Sequence, residues 1–272
     1  MGHYLWFIPF GFVIGAFGTL IGAGGGFILM PVLLLLYPRE NPDISTSISL
    51  GVVFFNALSG SVAYIRMGRV DYKSGLLFSS ATIPGAILGV FTTAYIPRRL
   101  FNAVFGLVMI LASVFLLLRP SVDNDNKKNR CIKNYLRGNL IEADGTPHTF
   151  SYNPIVGVGL SFFVGYVSSL LGIGGGIIHV PALVHLLNFP VHIATATSQF
   201  ILAIMAFTGT VVHIVIGTFS YGIRRTIFLA IGVLIGAQFG ARLSNRVHGD
   251  WIIRCLAFAL GLVGFRILIM AL

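Results

Sequence analysis

Gly22-Ala-Gly-Gly-Gly-Phe-Ile-Leu-Met-Pro31 and Gly172-Ile-Gly-Gly-Gly-Ile-Ile-His-Val-Pro181 are the stretches whose reading decides the fold. Each sits inside a long apolar segment, residues 5–37 and 154–187. As one straight helix such a segment would run about 50 Å, against a bilayer core of about 30 Å. It must break or fold back, and glycine is the residue that tolerates a break. The stretches 27–37 and 177–187, one after each cluster, are short for a crossing and read as half-helices or re-entrant arms.

The correspondence continues outward. The glycine runs match at an offset of 150. Ile44, Thr46 and Ser49 then fall on Ile193, Thr195 and Ser198 at 149, followed by Ala57, Gly60, Gly68 and Tyr72 on Ala206, Gly209, Gly217 and Tyr221. Gly85 and Gly89 match Gly236 and Gly240 at 151. The chain is a duplicated unit, and duplicated helical units with broken spans point to a transporter whose site lies between the repeats.

Composition agrees. Of 272 residues 56% are hydrophobic and 10% charged, where a soluble domain carries about 25% charged residues. Apolar windows near 5–37, 44–65, 72–95, 100–118, 154–187, 193–217, 222–243 and 251–272 each approach or exceed the roughly 20 residues a spanning helix needs. The runs are continuous rather than alternating, which excludes a closed barrel. The expected fold is an all-α polytopic membrane protein of 8–10 membrane helices, broken or re-entrant arms included. The 33 glycines inside apolar runs serve close helix contact or breaks. Cys131 and Cys255 make no metal pair or disulfide framework, and Met1–Tyr4 lead into a retained first span.

Residues 119–152 carry six of the 18 cations and four of the eight acids. They divide the chain into a first repeat (1–118), a solvated linker (119–152), in which Asn-Tyr-Leu-Arg-Gly and Thr-Pro-His-Thr-Phe suit a small hairpin, and a second repeat (153–272). Cation counting places the linker on the cytoplasmic side whether each half crosses four times, giving parallel repeats, or five times, giving inverted ones. Inversion is favoured because it generates alternating access most readily. The net charge of +10 is scattered between apolar runs, so it orients a membrane protein and offers no face for nucleic acid.

All eight acids, Glu40, Asp43, Asp71, Asp123, Asp125, Glu142, Asp144 and Asp250, lie in gaps or at helix ends. Cation pathways and most proton relays use intramembrane carboxylates, so an anion or a neutral solute is the expected cargo. An anion in a low-dielectric site can be held by helix N-termini, backbone N–H groups and hydroxyls. The candidate binding set is Gly24, Gly25 and Gly26 with Thr46, Ser47 and Ser49 in the first repeat, and Gly174, Gly175 and Gly176 with Thr195, Thr197, Ser198 and Gln199 in the second. Read individually, the Ser and Thr residues also suit helix caps and packing. His213 aligns with Tyr64, and either suits a proton or substrate contact. His179, His185, His192 and His213 lack ligand spacing, so no metal and no cofactor are expected. Arg254 and Arg266 suit snorkelling at the interfaces. There is no phosphate loop, nucleophile elbow or HExxH, so no enzyme activity is expected.

The glycine runs closing on Pro31 and Pro181, with Ala-Thr-Ala-Thr-Ser at 194–198, resemble the sulfite exporter TauE/SafE family of membrane permeases. The resemblance spans both halves, though the first repeat has Ser45-Thr46-Ser47-Ile48-Ser49 at the equivalent place. It implies secondary transport of sulfur-containing anions, such as sulfite or sulfonates, across the cytoplasmic membrane. Export by alternating access is the direction expected, with coupling through His213 or through the cargo's own ionisation. A passive anion channel and an uptake permease for thiosulfate- or sulfide-type solutes stay open. The expected partners are a small sulfur-containing anion and the lipid bilayer, the chain acting as a monomer or a homodimer.

Overall fold

The computed structural model describes residues 5–118, 136–143, 145–244 and 249–269. Met1–Tyr4, the first half of the linker with Cys131, and the Arg254 side chain lie outside the described residues. Ten α-helices and one hairpin are described. The helices are α1 (Phe7–Ile21), α2 (Gly26–Leu36), α3 (Pro42–Arg66), α4 (Tyr72–Tyr95), α5 (Arg98–Leu118), α6 (Pro154–Leu171), α7 (Gly176–Leu186), α8 (Val191–Ile216), α9 (Ile223–Leu243) and α10 (Gly249–Ile269). Five of them, α3, α4, α6, α8 and α9, are long and apolar enough to cross a membrane. The protein is an all-α polytopic membrane protein, with Leu88, Phe91, Phe163, Ile235 and Phe239 exposed on its outer faces.

Both opening segments break at the glycines. α1 stops at Gly22 (φ 78°), whose N–H bonds the Thr19 carbonyl at 3.0 Å while Ala23 N–H bonds that of Gly18 at 2.8 Å. α6 stops at Gly172 (φ 68°) in the same way, with Ile173 N–H on the Ser168 carbonyl at 3.2 Å. Gly24, Gly25, Gly174 and Gly175 also have positive φ, a region where other residues are strained. The chain therefore turns within four residues and restarts as the 11-residue arms α2 and α7, each carrying a proline (Pro31, Pro181) at the same place.

The two repeats exchange partners. α1 packs on α9 and α6 on α4, while the equivalent pairs α3 with α8 and α5 with α10 pack on each other. Small residues permit this. A Cβ on Gly15 would lie 2.6 Å from the Val233 carbonyl oxygen, and one on Gly165 2.6 Å from that of Thr82. Gly85 and Gly89 meet α6 in the way Gly236 and Gly240 meet α1, the small-residue contact expected between membrane helices. α3 and α8 run antiparallel: Asp43 lies by His213, Gly209 by Leu50 and Gly60 by Gln199.

The linker's second half is a hairpin of β1 (Leu136–Ile141) and β2 (Pro147–Tyr152), with Leu136 opposite Tyr152. It is more than a solvated connector. Phe150 and Tyr152 are buried with Phe78, Leu183, Leu187 and Phe189, and Ala143 N–H bonds the Met67 carbonyl at 3.0 Å. The carboxylate of Glu142, only 5% exposed, accepts from Arg69 Nε at 2.6 Å and lies 2.9 Å from His148 Nε2. The hairpin thus clasps the α3–α4 turn and the second arm from one end of the bundle.

Candidate functional site

The breaks meet at the centre. A Cβ on Gly26 would lie 2.8 Å from the Gly172 carbonyl oxygen, and one on Gly176 2.5 Å from Ala23 Cα. Val53 Cγ1 lies 3.1 Å from such an atom on either Gly24 or Gly174. Leu202, its counterpart in the second repeat, lies 2.8 Å from one on Gly176. The N-terminal turns of α2 and α7 start here with glycine N-caps and no side-chain cap. Two positive helix ends therefore meet here.

Hydroxyls from each repeat reach the other repeat's break. Ser49 Oγ donates to the Gly172 carbonyl at 2.5 Å and Ser198 Oγ to the Gly22 carbonyl at 3.3 Å. Thr46 packs on Gly172 and Thr195 on Gly22. Gln199 Nε2 donates to the Gly18 carbonyl at 3.2 Å. Of the residues singled out in the sequence, Gly24, Gly25, Gly26, Thr46, Ser49, Gly174, Gly175, Gly176, Thr195, Ser198 and Gln199 form one assembly. Tyr64 joins it through its hydroxyl, which donates to the Thr19 carbonyl at 2.9 Å.

Three residues are placed elsewhere. Ser47 Oγ bonds its own helix at the Ile44 carbonyl. Thr197 Oγ1 accepts from Asp71 N–H at 3.1 Å, at the foot of the hairpin. There Ser74 Oγ bonds Asp71 Oδ2 at 2.5 Å, and the Ser74 and Tyr152 hydroxyls are 2.6 Å apart. Burial holds the Tyr152 phenol above its ordinary value; the Ser74 hydrogen bond opposes this and the Asp71 charge adds to it. His213, at the far end of α8, meets Asp43 and Thr218.

Buried polar atoms without a hydrogen-bond partner include several at the breaks: Thr46 beside Gly172, Asn56 Nδ2 beside Gly18 and Gly25, and Ser168 Oγ beside Gly175. Such atoms among the described residues are Asp43 Oδ1, Ser45 Oγ, Thr46 Oγ1, Asn56 Nδ2, Ser61 Oγ, Asn102 Oδ1, Ser168 Oγ, Ser169 Oγ, Gln199 Oε1 and His213 Nε2. All but Asn102 lie on α3, α6 or α8. An unpaired buried polar group costs about 1–3 kcal/mol, and folded proteins leave few. Ser168 and Ser169 were not singled out in the sequence. The signal was available, because Ser169 stands 150 residues after Thr19 and both carry hydroxyls. Thr19 is satisfied by Asn56 (3.0 Å), whereas the Asn56 position is Met205 in the second repeat. No group of three or more His, Cys, Asp or Glu side chains fit to hold a metal occurs among the described residues.

A duplicated helical bundle with apolar outer faces and two broken helices meeting at its centre has the build of a membrane transporter. The chain belongs to the sulfite exporter TauE/SafE family, whose profile matches residues 7–267. It is 33% identical over 267 residues to the probable membrane transporter protein YunE of Bacillus subtilis, covering 96% of both chains. It is 31% identical over 235 residues to the probable membrane transporter protein YdhB of the same organism, covering 86% of this chain and 87% of that one. Sulfite exporter TauE/SafE family protein 6 of Arabidopsis thaliana is 31% identical over 134 residues, 46% of this chain and 31% of the relative. No solved structure matches the chain. These relatives are transporters by name, and the protein is a multi-pass membrane transporter.

Proposed function

We propose that the protein carries a small sulfur-containing oxyanion, sulfite or a sulfonate, across the cytoplasmic membrane by alternating access. The carrying observation is the group of buried, unpartnered polar atoms around two opposed helix N-termini. Hydroxyls, an amide and backbone dipoles suit a monoanion or dianion, because they supply donors without a permanent countercharge. The antiparallel packing of the equivalent helices α3 and α8 supports inverted repeats. A twofold lying across the membrane makes an outward-open and an inward-open state near-equivalent.

In this reading the described arrangement is an occluded one. Val53 and Leu202 close over the glycines, so the anion enters when α3 and α8 shift against the arms. Direction follows the combined gradients, and export is what the family's description favours. Counterflow of labelled sulfite in proteoliposomes at equal pH tests the reading. Acceleration by unlabelled sulfite on the far side is the expected result; flux that rises linearly with concentration and shows no counterflow would make the protein a channel.

A further inference from the structure

We infer that Asp43 and His213 form a proton-binding pair whose protonation is coupled to anion binding at the breaks. The coupling rests on the anion-carrier reading above; proton binding by the pair does not. His213 is 0% exposed and Asp43 14%, with Nδ1 3.4 Å from Oδ1. Thr218 Oγ1 donates to the His213 carbonyl at 3.2 Å and lies 2.9 Å from Nδ1. With that hydroxyl proton on the His213 carbonyl, the ring proton is on Nδ1 and donates to Thr218. Nε2 is then a bare acceptor, buried and without a partner. One proton added there forms an N–H bond and breaks none, leaves an imidazolium beside the carboxylate, and takes the pair from a charge of −1 to neutral. A buried site favours the neutral total.

The neighbouring cations have partners of their own. Arg225 of α9 bonds both oxygens of Glu40, at 2.8 and 2.5 Å, and stacks over Tyr37. Arg98 of α5 donates to the carbonyls of Leu34, Tyr37 and Glu40. Arg224 and Tyr221 are exposed. Among the described residues, Asp43 is the charged group that the structure pairs with His213.

The pair lies a turn away from residues that reach the second break. Thr46, one turn along α3 from Asp43, has its Cα 3.1 Å from where a Cβ on Gly172 would stand. His213 lies one turn beyond Gly209 on the same face of α8, and a Cβ on Gly209 would be 3.7 Å from Ser169 Oγ. Ser169 and then Ser168, both buried and unpartnered, lead on to Gly175, where a Cβ would lie 2.5 Å from Ser168 Oγ. A negative pair a turn or two from the anion repels it, and protonation removes the repulsion. At an effective dielectric near 20 that is worth roughly tenfold in affinity. Linkage makes the effect reciprocal: a bound anion raises the pair's hold on its proton by the same factor. Anion and proton therefore move together.

The test is thiosulfate binding to the purified protein in nanodiscs as a function of pH, since thiosulfate brings no proton of its own between about pH 5 and 8. The expected result is affinity rising about tenfold in all as pH falls through the pair's titration, at most about threefold per pH unit, with about half a proton taken up per anion at the midpoint. Asp43→Asn and His213→Gln abolish the slope, and Asp43→Glu retains it. Asp43→Asn with the wild-type slope overturns the proposal. A second measurement needs no anion: in ¹⁵N-histidine spectra the His213 Nε2 titration midpoint moves by more than one pH unit in Asp43→Asn, and an unchanged midpoint overturns the pair. Wild-type protein without sulfite counterflow at equal pH overturns the carrier reading instead, and the pair then stands or falls on the spectra.

Discussion

The Ser49 hydroxyl donates to the Gly172 carbonyl at 2.5 Å, so a side chain of the first repeat holds the broken backbone of the second. Ser198 returns the contact to Gly22 at 3.3 Å. Breaking either bond leaves a buried carbonyl short of a donor, which costs about 1–3 kcal/mol. Ser49→Ala and Ser198→Ala are each expected to lower thermal stability by about that much and slow sulfite counterflow several-fold. The double variant is expected to depart from additivity, since both bonds brace one assembly. Differential scanning of the three variants beside their transport rates checks this.

Thr46 separates a binding role from a structural one by the sign of its effects. Its hydroxyl is buried and unpartnered, so Thr46→Val keeps the shape and removes a desolvated polar atom. Stability is expected to stay or rise by up to about 1 kcal/mol while anion affinity falls. A variant both less stable and unchanged in transport would show that the hydroxyl only packs.

Glycine substitutions divide by location. Gly176→Ala would set a methyl 2.5 Å from Ala23 Cα, and overpacking of this kind costs about 1–3 kcal/mol. Gly159 in α6 has nothing within 4 Å of such a methyl, and Gly159→Ala is expected to stabilise by about 0.5–1 kcal/mol with transport intact. Transport and melting temperature measured side by side read both outcomes.

The hairpin clasp is expected to fail when one member of its buried ion pair is removed. Arg69→Ala leaves Glu142, 5% exposed, with His148 as its remaining side-chain partner, a loss of up to about 3 kcal/mol, and limited proteolysis should then cut the hairpin first. Tyr152 adds a pH limit. Its folded value is raised above 10.0, so its contribution is fully present below that ordinary value and is lost as pH climbs through the raised one. Protection factors for amide exchange in β1 and β2 should be flat through neutral pH and fall only in alkali.

Much of this architecture could be read from spacing. Offsets of 149 to 151 placed both breaks, the hydroxyl-bearing helix starts and the glycine seams of α4 and α9, because duplicated local chemistry forces duplicated local structure. Long-range meetings were less legible. Asp43 reads as an acid at a helix end, and only the antiparallel run of α3 and α8 carries it to His213. Thr197 belongs to the same run of small residues as Thr195 and Ser198, yet its side of α8 faces the Asp71 turn. The hairpin's segments stood out, but its docking depends on Phe150 and Tyr152 finding Phe189 and Phe78, a contact between distant parts of the chain.

The central claim, that two opposed glycine breaks hold the anion, is tested most directly by a crystal grown with selenite in place of sulfite and measured at the selenium edge. The account predicts an anomalous peak between the Gly24–Gly26 and Gly174–Gly176 turns, within hydrogen-bonding reach of Thr46 or Gln199. Selenium at another place in the protein, with the space between the turns empty of it, would contradict the account.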